Sequence, residues 1–236
     1  VDKAYMRIYQ RLGLGDCTYK TYASGGAFAK YSHEFQTLTP IGEDTIYLNQ
    51  DKTIAINEEV MNDEVLADLG AKREDFTPTT AAEVGNIFTL RYKFSEPIGL
   101  KFDDQDGVKK TVFMGSYGIG VSRVMGVIAE KFADEKGLVW PENIAPFKYY
   151  VIGIGDQGES LALDLHNSFR KQILLDDRKL RPGEKFADAE LMGTPYRVVI
   201  SNKTLENQTV EITNRKTGEV RTILVEEFKK ELFSFK

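Results

Sequence analysis

Ten residues, Met114-Gly115-Ser116-Tyr117-Gly118-Ile119-Gly120-Val121-Ser122-Arg123, carry the densest chemical signal in this sequence. The pattern predicts a strand entering a turn with three glycines, from which a helix departs. Glycine lets a backbone bend sharply and lets a ligand come close. A helix N-terminus offers free N–H groups and a partial positive charge to an anion. Arg123, in the first turn of that helix, adds a planar cation suited to phosphate. The chemistry of such a set is anion binding. No Gly-Lys-Ser/Thr is present, so this is not a P-loop, and the order G-x-x-G-x-G is not the dinucleotide fingerprint. As a bare pattern, the string fits a tight packing turn with a surface arginine equally well.

Nothing in the sequence forms a Ser/His/Asp or Cys/His nucleophile set. His33 reads either as a structural hydrogen-bonder or as a site residue, and His166, mid-helix by pattern, as structural. Cys17 reads as a small core residue. A single cysteine among 236 residues allows no internal disulfide and no multi-cysteine zinc site, so a reducing compartment is the default. Hydrophobic residues at 42% and charged residues at 28% fit a globular chain and exclude a disordered tail or a collagen-like rod. No apolar run reaches the roughly 18–20 residues that span a bilayer. The chain opens on Val1 with no charged segment ahead of an apolar one, so no signal peptide is expected. A net charge of -5 argues against an overall basic coat, though a local basic stripe can still bind RNA.

The elements that must position these residues follow from periodicity. Tyr5, Ile8, Tyr9 and Leu12 share a helical face that Gly13 and Gly15 end. Alternating stretches at 18–23, 33–39 and 44–49 predict antiparallel strands. A helix is expected over 54–69, strands over 86–94 and 108–114 with a turn at Asp106-Gly107, and a helix over 121–132. Trp140-Pro141 and Ala145-Pro146 then bracket a boundary. Residues 1–147 carry 16 Lys+Arg against 22 Asp+Glu, and residues 148–236 carry 15 against 14, so the charge balance shifts across it. The second part alternates strand 149–153, helix 160–171, strand 173–175, helix 185–191 and strand 197–201. A hairpin with its turn at Lys216-Thr217-Gly218 follows, then a helix over 225–232. The expected class is α+β for 1–147 and a mixed-sheet α/β domain for 148–236.

Around Arg123 the sequence resembles motif 3 of the class II aminoacyl-tRNA synthetases, and specifically of the bacterial prolyl-tRNA synthetases. The likeness runs through Gly25-Gly26, Ser32-His33-Glu34-Phe35, Gly42-Glu43-Asp44, Glu83-Val84-Gly85-Asn86-Ile87-Phe88 and Tyr92-Lys93-Phe94-Ser95-Glu96. It continues in Gly137-Leu138-Val139-Trp140-Pro141, Ala145-Pro146-Phe147, Leu175-Asp176-Asp177-Arg178 and Lys185-Phe186-Ala187-Asp188. The resemblance implies a partial antiparallel-sheet catalytic core over 1–147 and an anticodon-binding domain over 148–236. Family motifs 1 (dimer interface) and 2 (ATP grip) lie before the region where this chain begins. Only the 25 residues 58–82 stand where many bacterial relatives carry an editing insertion.

The resemblance further implies ligation of proline to tRNA(Pro) through prolyl-adenylate, with ATP and Mg2+, in the cytoplasm and away from membranes. The full-length enzyme would be a homodimer, with a separate trans-editing deacylase for alanyl-tRNA(Pro). Such an activation needs positioning and charge neutralisation more than a protein nucleophile. Arg123, Gly118, Gly120 and Glu83 would bind ATP, Arg123 on phosphate or stacked near adenine and Glu83 on Mg2+ or the ribose region, with Arg123 and Glu83 as the catalytic pair and Glu83 the metal residue. A solvated strand-end carboxylate remains the plain alternative for Glu83. Ser116, His33, Glu34 and Phe35 would line or brace the proline pocket. Asn86 stands where relatives often have His. Phe186 would stack an anticodon base, Glu190 would take a guanine donor edge and Arg197 an acceptor edge. Thr204 stands where some relatives place an acidic contact. Six Lys/Arg within 170–185 (Arg170, Lys171, Arg178, Lys179, Arg181, Lys185), against Asp176, Asp177 and Glu184, would contact phosphates. Core packing of Phe186 and a solvated charged face form the competing reading. Two other functions compete: a non-catalytic tRNA-binding module derived from a class II synthetase, and a threonyl, glycyl or histidyl enzyme, against which Ser32-His33-Glu34-Phe35 and Glu83-Val84-Gly85-Asn86-Ile87-Phe88 resemble the prolyl family specifically.

Overall fold

The structure, a computed structural model, describes residues 1–234. It packs as two units, one from Val1 to Ile128 and one from Ala129 onward. The packing break falls at 128, inside the helix that runs from Val121 to Phe132. Segment 129–147 joins the second unit because its backbone and Asp134 are held there by hydrogen bonds from and to Leu191, Gly193 and Arg215.

The first unit opens with α1 (Asp2–Arg11), whose Tyr5 and Tyr9 are buried and which ends before Gly13 at φ +78°. Next come β1 (Thr18–Ser24), β2 (Tyr31–Leu38), β3 (Asp44–Asn49), β4 (Ala55–Asn57) and α2 (Asp63–Leu69). Then follow β5 (Phe76–Arg91), β6 (Lys101–Asp103), β7 (Lys109–Thr111), β8 (Met114–Ile119) and α3 (Val121–Phe132). The main sheet has the order β2-β1-β4-β3-β5-β8, and β2 also pairs with β5, so five of its strands close a ring. All its ladders are antiparallel except β1–β4.

Three expectations change here. The helix expected over 54–69 is a helix only from Asp63, because 55–57 is extended and pairs with both β3 and β1. The Asn62 side chain accepts the Val65 N–H and caps the helix at its true start. The strand expected from Asn86 begins ten residues earlier, at Phe76, with Pro78 inside it. The glycines read as a turn lie mostly in a strand: Gly115 and Gly118 belong to β8, and only Gly120 sits at the strand–helix junction.

The second unit contains β9 (Tyr149–Ile154), α4 (Asp156–Ser168), β10 (Ile173–Asp176), α5 (Pro182–Met192) and β11 (Tyr196–Ser201). It continues with a four-residue α6 (Asn202–Leu205), then β12 (Thr209–Asn214), β13 (Val220–Leu224) and α7 (Val225–Ser234). Its sheet runs β10-β9-β11-β12-β13, parallel across the first three strands and antiparallel across the last three. Strands buried on both faces explain the continuous apolar runs of β9 and β11. One face packs Tyr149, Val151, Val198 and Ile200 with Leu165 of α4 and Phe228 of α7. The other packs Tyr150 and Ile152 with Ala189 and Phe186 of α5.

Candidate functional site

In the first unit the site is built by strand alternation and one bulge. On β2, successive side chains face opposite ways. Phe35 lies on the α1 side, 4.9 Å from the Tyr5 ring and 5.6 Å from the Tyr9 ring. His33 shares that face and packs 5.1 Å from Tyr22. Burial holds its imidazole below the usual range. Glu34 and Gln36 point the other way. The His33-Glu34-Phe35 motif therefore splits across the sheet: Glu34 shares the face of its partner Asn86, whereas Phe35 and His33 lie on the opposite face and brace it from there.

The β2–β5 register pairs Gln36 with Glu83 but Phe35 with Gly85, leaving Val84 as an extra residue. Such a bulge re-aims the side chains on either side of it. Glu83 and Asn86, three apart, would otherwise face opposite ways; here Asn86 Nδ2 donates to Glu83 Oε1 at 3.0 Å. The pairing of Asn86 with Gly118 and of Phe88 with Ser116 brings β8 onto the same face.

Arg123 reaches over this face from the third position of α3. Its Nη1 donates to the Glu83 main-chain oxygen at 3.2 Å and lies 3.7 Å from Glu83 Oε2, and Nη2 lies 3.7 Å from Glu43 Oε2. A recess of about 300 Å3 opens between Glu83, Asn86, Gly118, Gly120 and Arg123. A Cβ on Gly118 would stand 3.0 Å from Asn86 Oδ1 and fill part of it. On Gly85, a Cβ would stand 2.5 Å from the Tyr9 hydroxyl, so the glycine there permits close packing of α1.

Beside the recess, Gln36 Nε2 bridges Glu34 Oε2 at 2.9 Å and Asp44 Oδ2 at 2.6 Å, and Asn57 Nδ2 donates to Glu34 at 3.0 Å. Burial raises the Glu34 carboxyl against the opposing pull of these two neutral amides. Ser116 is exposed, one strand from Phe88, whose ring meets Phe28 edge-on at 6.4 Å. Asp44 and Glu43 were legible only as part of a motif. Gln36 lies two residues beyond Glu34, the spacing that shares a face, while Asn57 was hidden inside the expected helix.

Among the described residues, no group of three or more His, Cys, Asp or Glu is arranged to hold a metal. The recess offers one carboxylate, Glu83. That fits Mg2+ only as Mg2+ is held beside a nucleotide, with phosphates and waters as the remaining ligands.

In the second unit the three expected residues meet on one surface. The Arg197 guanidinium lies 4.7 Å from the Phe186 ring centroid. Its Nη1 is 3.7 Å from Glu190 Oε1, and its Nη2 donates to Thr213 Oγ1 at 3.3 Å. Its Nε is buried and has no hydrogen-bond partner among the described residues. Phe186 is half-buried with one flank in the apolar layer under α5 and its ring beneath Arg197, so it orients that guanidinium.

The basic run at 170–185 is divided by β10. Arg170 and Lys171 lie before β10 and the others after it. Lys185 is buried, donating to the Asp176 main-chain oxygen at 3.0 Å, and Arg178 pairs with Asp176 and Asp188 at 2.7 and 2.8 Å. Ser201 caps the short helix, its Oγ accepting the Thr204 N–H at 3.1 Å, and Thr204 Oγ1 accepts the Ser201 N–H at 3.0 Å in return. His166 Nδ1 contacts the Ile173 carbonyl at 3.1 Å, and Cys17 is half-buried rather than core. A wider cleft of about 610 Å3 opens at the carboxyl ends of β9 and β10. Its buried ionic groups, Asp176 and Lys185, are already satisfied internally, and its lining includes none of Phe186, Glu190 and Arg197.

Comparison with known proteins gives this geometry its context. Residues 1–132 match the family model of the tRNA synthetase class II core domain (G, H, P, S and T), and residues 148–234 match that of the anticodon binding domain. The chain belongs to the class II aminoacyl-tRNA synthetases. Within that class it is similar to proline–tRNA ligases. It is 35% identical to that of Ehrlichia chaffeensis over 242 residues, covering 96% of this chain and 57% of the relative. It is 34% identical to that of Acidiphilium cryptum over 244 residues, covering 92% and 56%. The match to that of Persephonella marina is 42% over 161 residues, covering 66% and 28%. The chain thus spans a little over half the length of the first two. No helix among the described residues is long and apolar enough to cross a membrane.

Proposed function

We propose that this chain is part of a proline–tRNA ligase, contributing one wall of the adenylate-forming site and the surface that reads the anticodon. The observation that carries the reading is the Glu190–Arg197 pair. It sets a carboxylate, the complement of one guanine's N1–H and N2–H2 donors, beside a guanidinium, the complement of an N7/O6 acceptor edge. Proline tRNAs carry two guanines in the anticodon, and unpaired bases can be splayed and read at their edges.

In the first unit, attack of the proline carboxylate on the ATP α-phosphate requires the two anions to be held together. Arg123 neutralises phosphate charge and Gly118 and Gly120 leave room for the nucleotide. Asn86 and the Arg123 contact fix the orientation of Glu83. Glu83 would hold Mg2+, which when bound neutralises further phosphate charge. Glu34, with only neutral amide donors beside it, would take the secondary ammonium of proline, with Ser116 and Phe88 along the ring. The whole protein would work in the cytoplasm as a homodimer. A separate deacylase would clear alanyl-tRNA(Pro), because a proline pocket discriminates weakly against the smaller alanine. The test is fluorescence anisotropy of the purified 236-residue chain with anticodon stem–loop RNAs. Tighter binding of the two-guanine loop than of a guanine-free loop is expected; equal binding overturns the reading.

A further inference from the structure

We infer that Lys136 is a further specificity-determining residue, donating to the O6 of the guanine that Glu190 holds; this rests on the anticodon reading above. Lys136 lies outside both family models, in the segment 133–147 between them. The structure nevertheless builds that segment into the reading surface.

A tight hairpin at 134–137 is closed by an Asp134–Gly137 bridge, and Asp134 Oδ1 accepts the N–H groups of Lys136 and Gly137 at 2.9 and 3.1 Å. Arg215, with its side chain only 7% exposed, grips both Asp134 oxygens at 2.6 and 2.7 Å. That guanidinium holds the Asp134 carboxyl far below the usual carboxylate range, so the clamp stays charged. The Arg215 Nε also donates to the main-chain oxygen of Glu190 itself at 2.9 Å. One arginine therefore ties the hairpin to the residue that reads the base.

The rest of the segment occupies the end of α5, where helix carbonyls lack internal partners. The N–H groups of Leu138 and Trp140 donate to the Leu191 and Gly193 oxygens at 3.0 and 3.1 Å, and Trp140 Nε1 donates to the Met192 oxygen at 3.1 Å. Gly137, at φ +141°, allows the approach, since a Cβ there would stand 2.5 Å from Leu191 Cα.

The result is a fixed place for Lys136. Its Nζ lies 3.7 Å from Glu190 Oε2, while Arg197 lies 3.7 Å from Oε1 on the other side. The Lys136 side chain is 56% exposed, and an ion pair that loose adds little to folding. Arg197 is already engaged by Phe186 and Thr213, whereas a lysine presents three rotatable donors on a flexible stem. Guanine's pairing edge carries two donors, N2–H2 and N1–H, followed by the O6 acceptor. When a carboxylate takes both donors, O6 falls beside it, within reach of a cation placed where Lys136 stands. Adenine would set its N6–H2 donors against the ammonium and its N1 acceptor against the carboxylate, so the same pair rejects it.

The test is Lys136→Met, measured by anisotropy with stem–loops in which each anticodon guanine is replaced in turn by 6-thioguanine. That base keeps both donors and replaces O6 with sulfur, a weak acceptor. Losing a hydrogen bond to a charged group should weaken binding of the guanine loop about tenfold. At one of the two positions, the thioguanine loop should lose about twofold or less. Lys136→Arg, still a donor, should keep most of the discrimination. An equal loss on guanine and thioguanine loops would make Lys136 a phosphate contact, and no loss would leave it a bystander; either overturns the inference. If the unsubstituted chain does not prefer guanine loops at all, the anticodon reading itself has failed; if it does and Lys136→Met changes nothing, only the role of Lys136 has.

Discussion

Replacing Asp176 by Asn should destabilise the second unit by about 2 kcal/mol, and the loss should depend on pH in a defined way. The Asp176 side chain is fully buried at the end of β10. Oδ1 accepts from Arg178 Nε at 2.9 Å, and Oδ2 accepts from Arg178 Nη2 at 2.7 Å and from the Tyr150 hydroxyl at 2.8 Å. Arg178 is the main cause of a carboxyl pushed down to about 2 from an ordinary 3.8. Each pH unit between those values is worth about 1.4 kcal/mol. Breaking a buried ion pair often costs more, about 3–5 kcal/mol. Here Arg178 is half exposed and keeps Asp188 at 2.8 Å, which places the cost at the lower figure. Because the folded value is depressed, the stabilisation is complete above about pH 4 and is lost as pH falls towards 2. Trp140, the chain's single tryptophan, sits in this unit and reports its unfolding by fluorescence. For a unit of this size, about 2 kcal/mol lowers the melting temperature by roughly 10 °C. The gap between Asp176→Asn and the parent should hold from pH 7 to 4 and narrow below. A melting temperature unchanged at pH 7, or a gap that does not narrow on acidification, would refute the reasoning.

Within a protein of full family length, Arg123→Ala should slow proline-dependent pyrophosphate exchange by about a hundredfold or more, and a near-parental rate would remove Arg123 from the phosphate site. Glu34→Gln should raise thermal stability at pH 7, because burial raises the Glu34 carboxyl and its ionised form is the disfavoured one. That gain should fade as pH falls and Glu34 protonates, while the full-length variant's KM for proline rises; a stability loss at pH 7 contradicts the burial argument. Gly85→Ala should cost roughly 1–3 kcal/mol in denaturant melts, since its Cβ would stand 2.5 Å from the Tyr9 hydroxyl and 2.7 Å from the Gly118 oxygen, and a neutral outcome would show that α1 yields freely.

Long, strongly periodic segments were legible in the sequence: α3 runs over the expected 121–132, β3 over the expected 44–49, and the hairpin turns at 216–218. Local pattern failed where tertiary pairing decided. Ala55-Ile56-Asn57 has too few residues to declare itself a strand, and it exists because β1 and β3 flank it. The Val84 bulge was invisible for a similar reason: it is a relation between two strands, and it alone puts Glu83 and Asn86 on one face. Strand parity, by contrast, was available in the sequence and separates Glu34 from His33 and Phe35. The charges at 170–185 were countable, but which of them the fold consumes depended on Asp176 being buried.

The most direct test of the account is the affinity of Glu190→Ala for two anticodon stem–loops, one with the two guanines and one without. A carboxylate that reads a guanine donor edge should cost roughly 1–3 kcal/mol on the first RNA when removed, and almost nothing on the second. A salt titration on both should show the same slope for variant and parent, since no phosphate contact is removed. Equal weakening on both loops, or no weakening on either, would contradict the claim that this surface reads the anticodon.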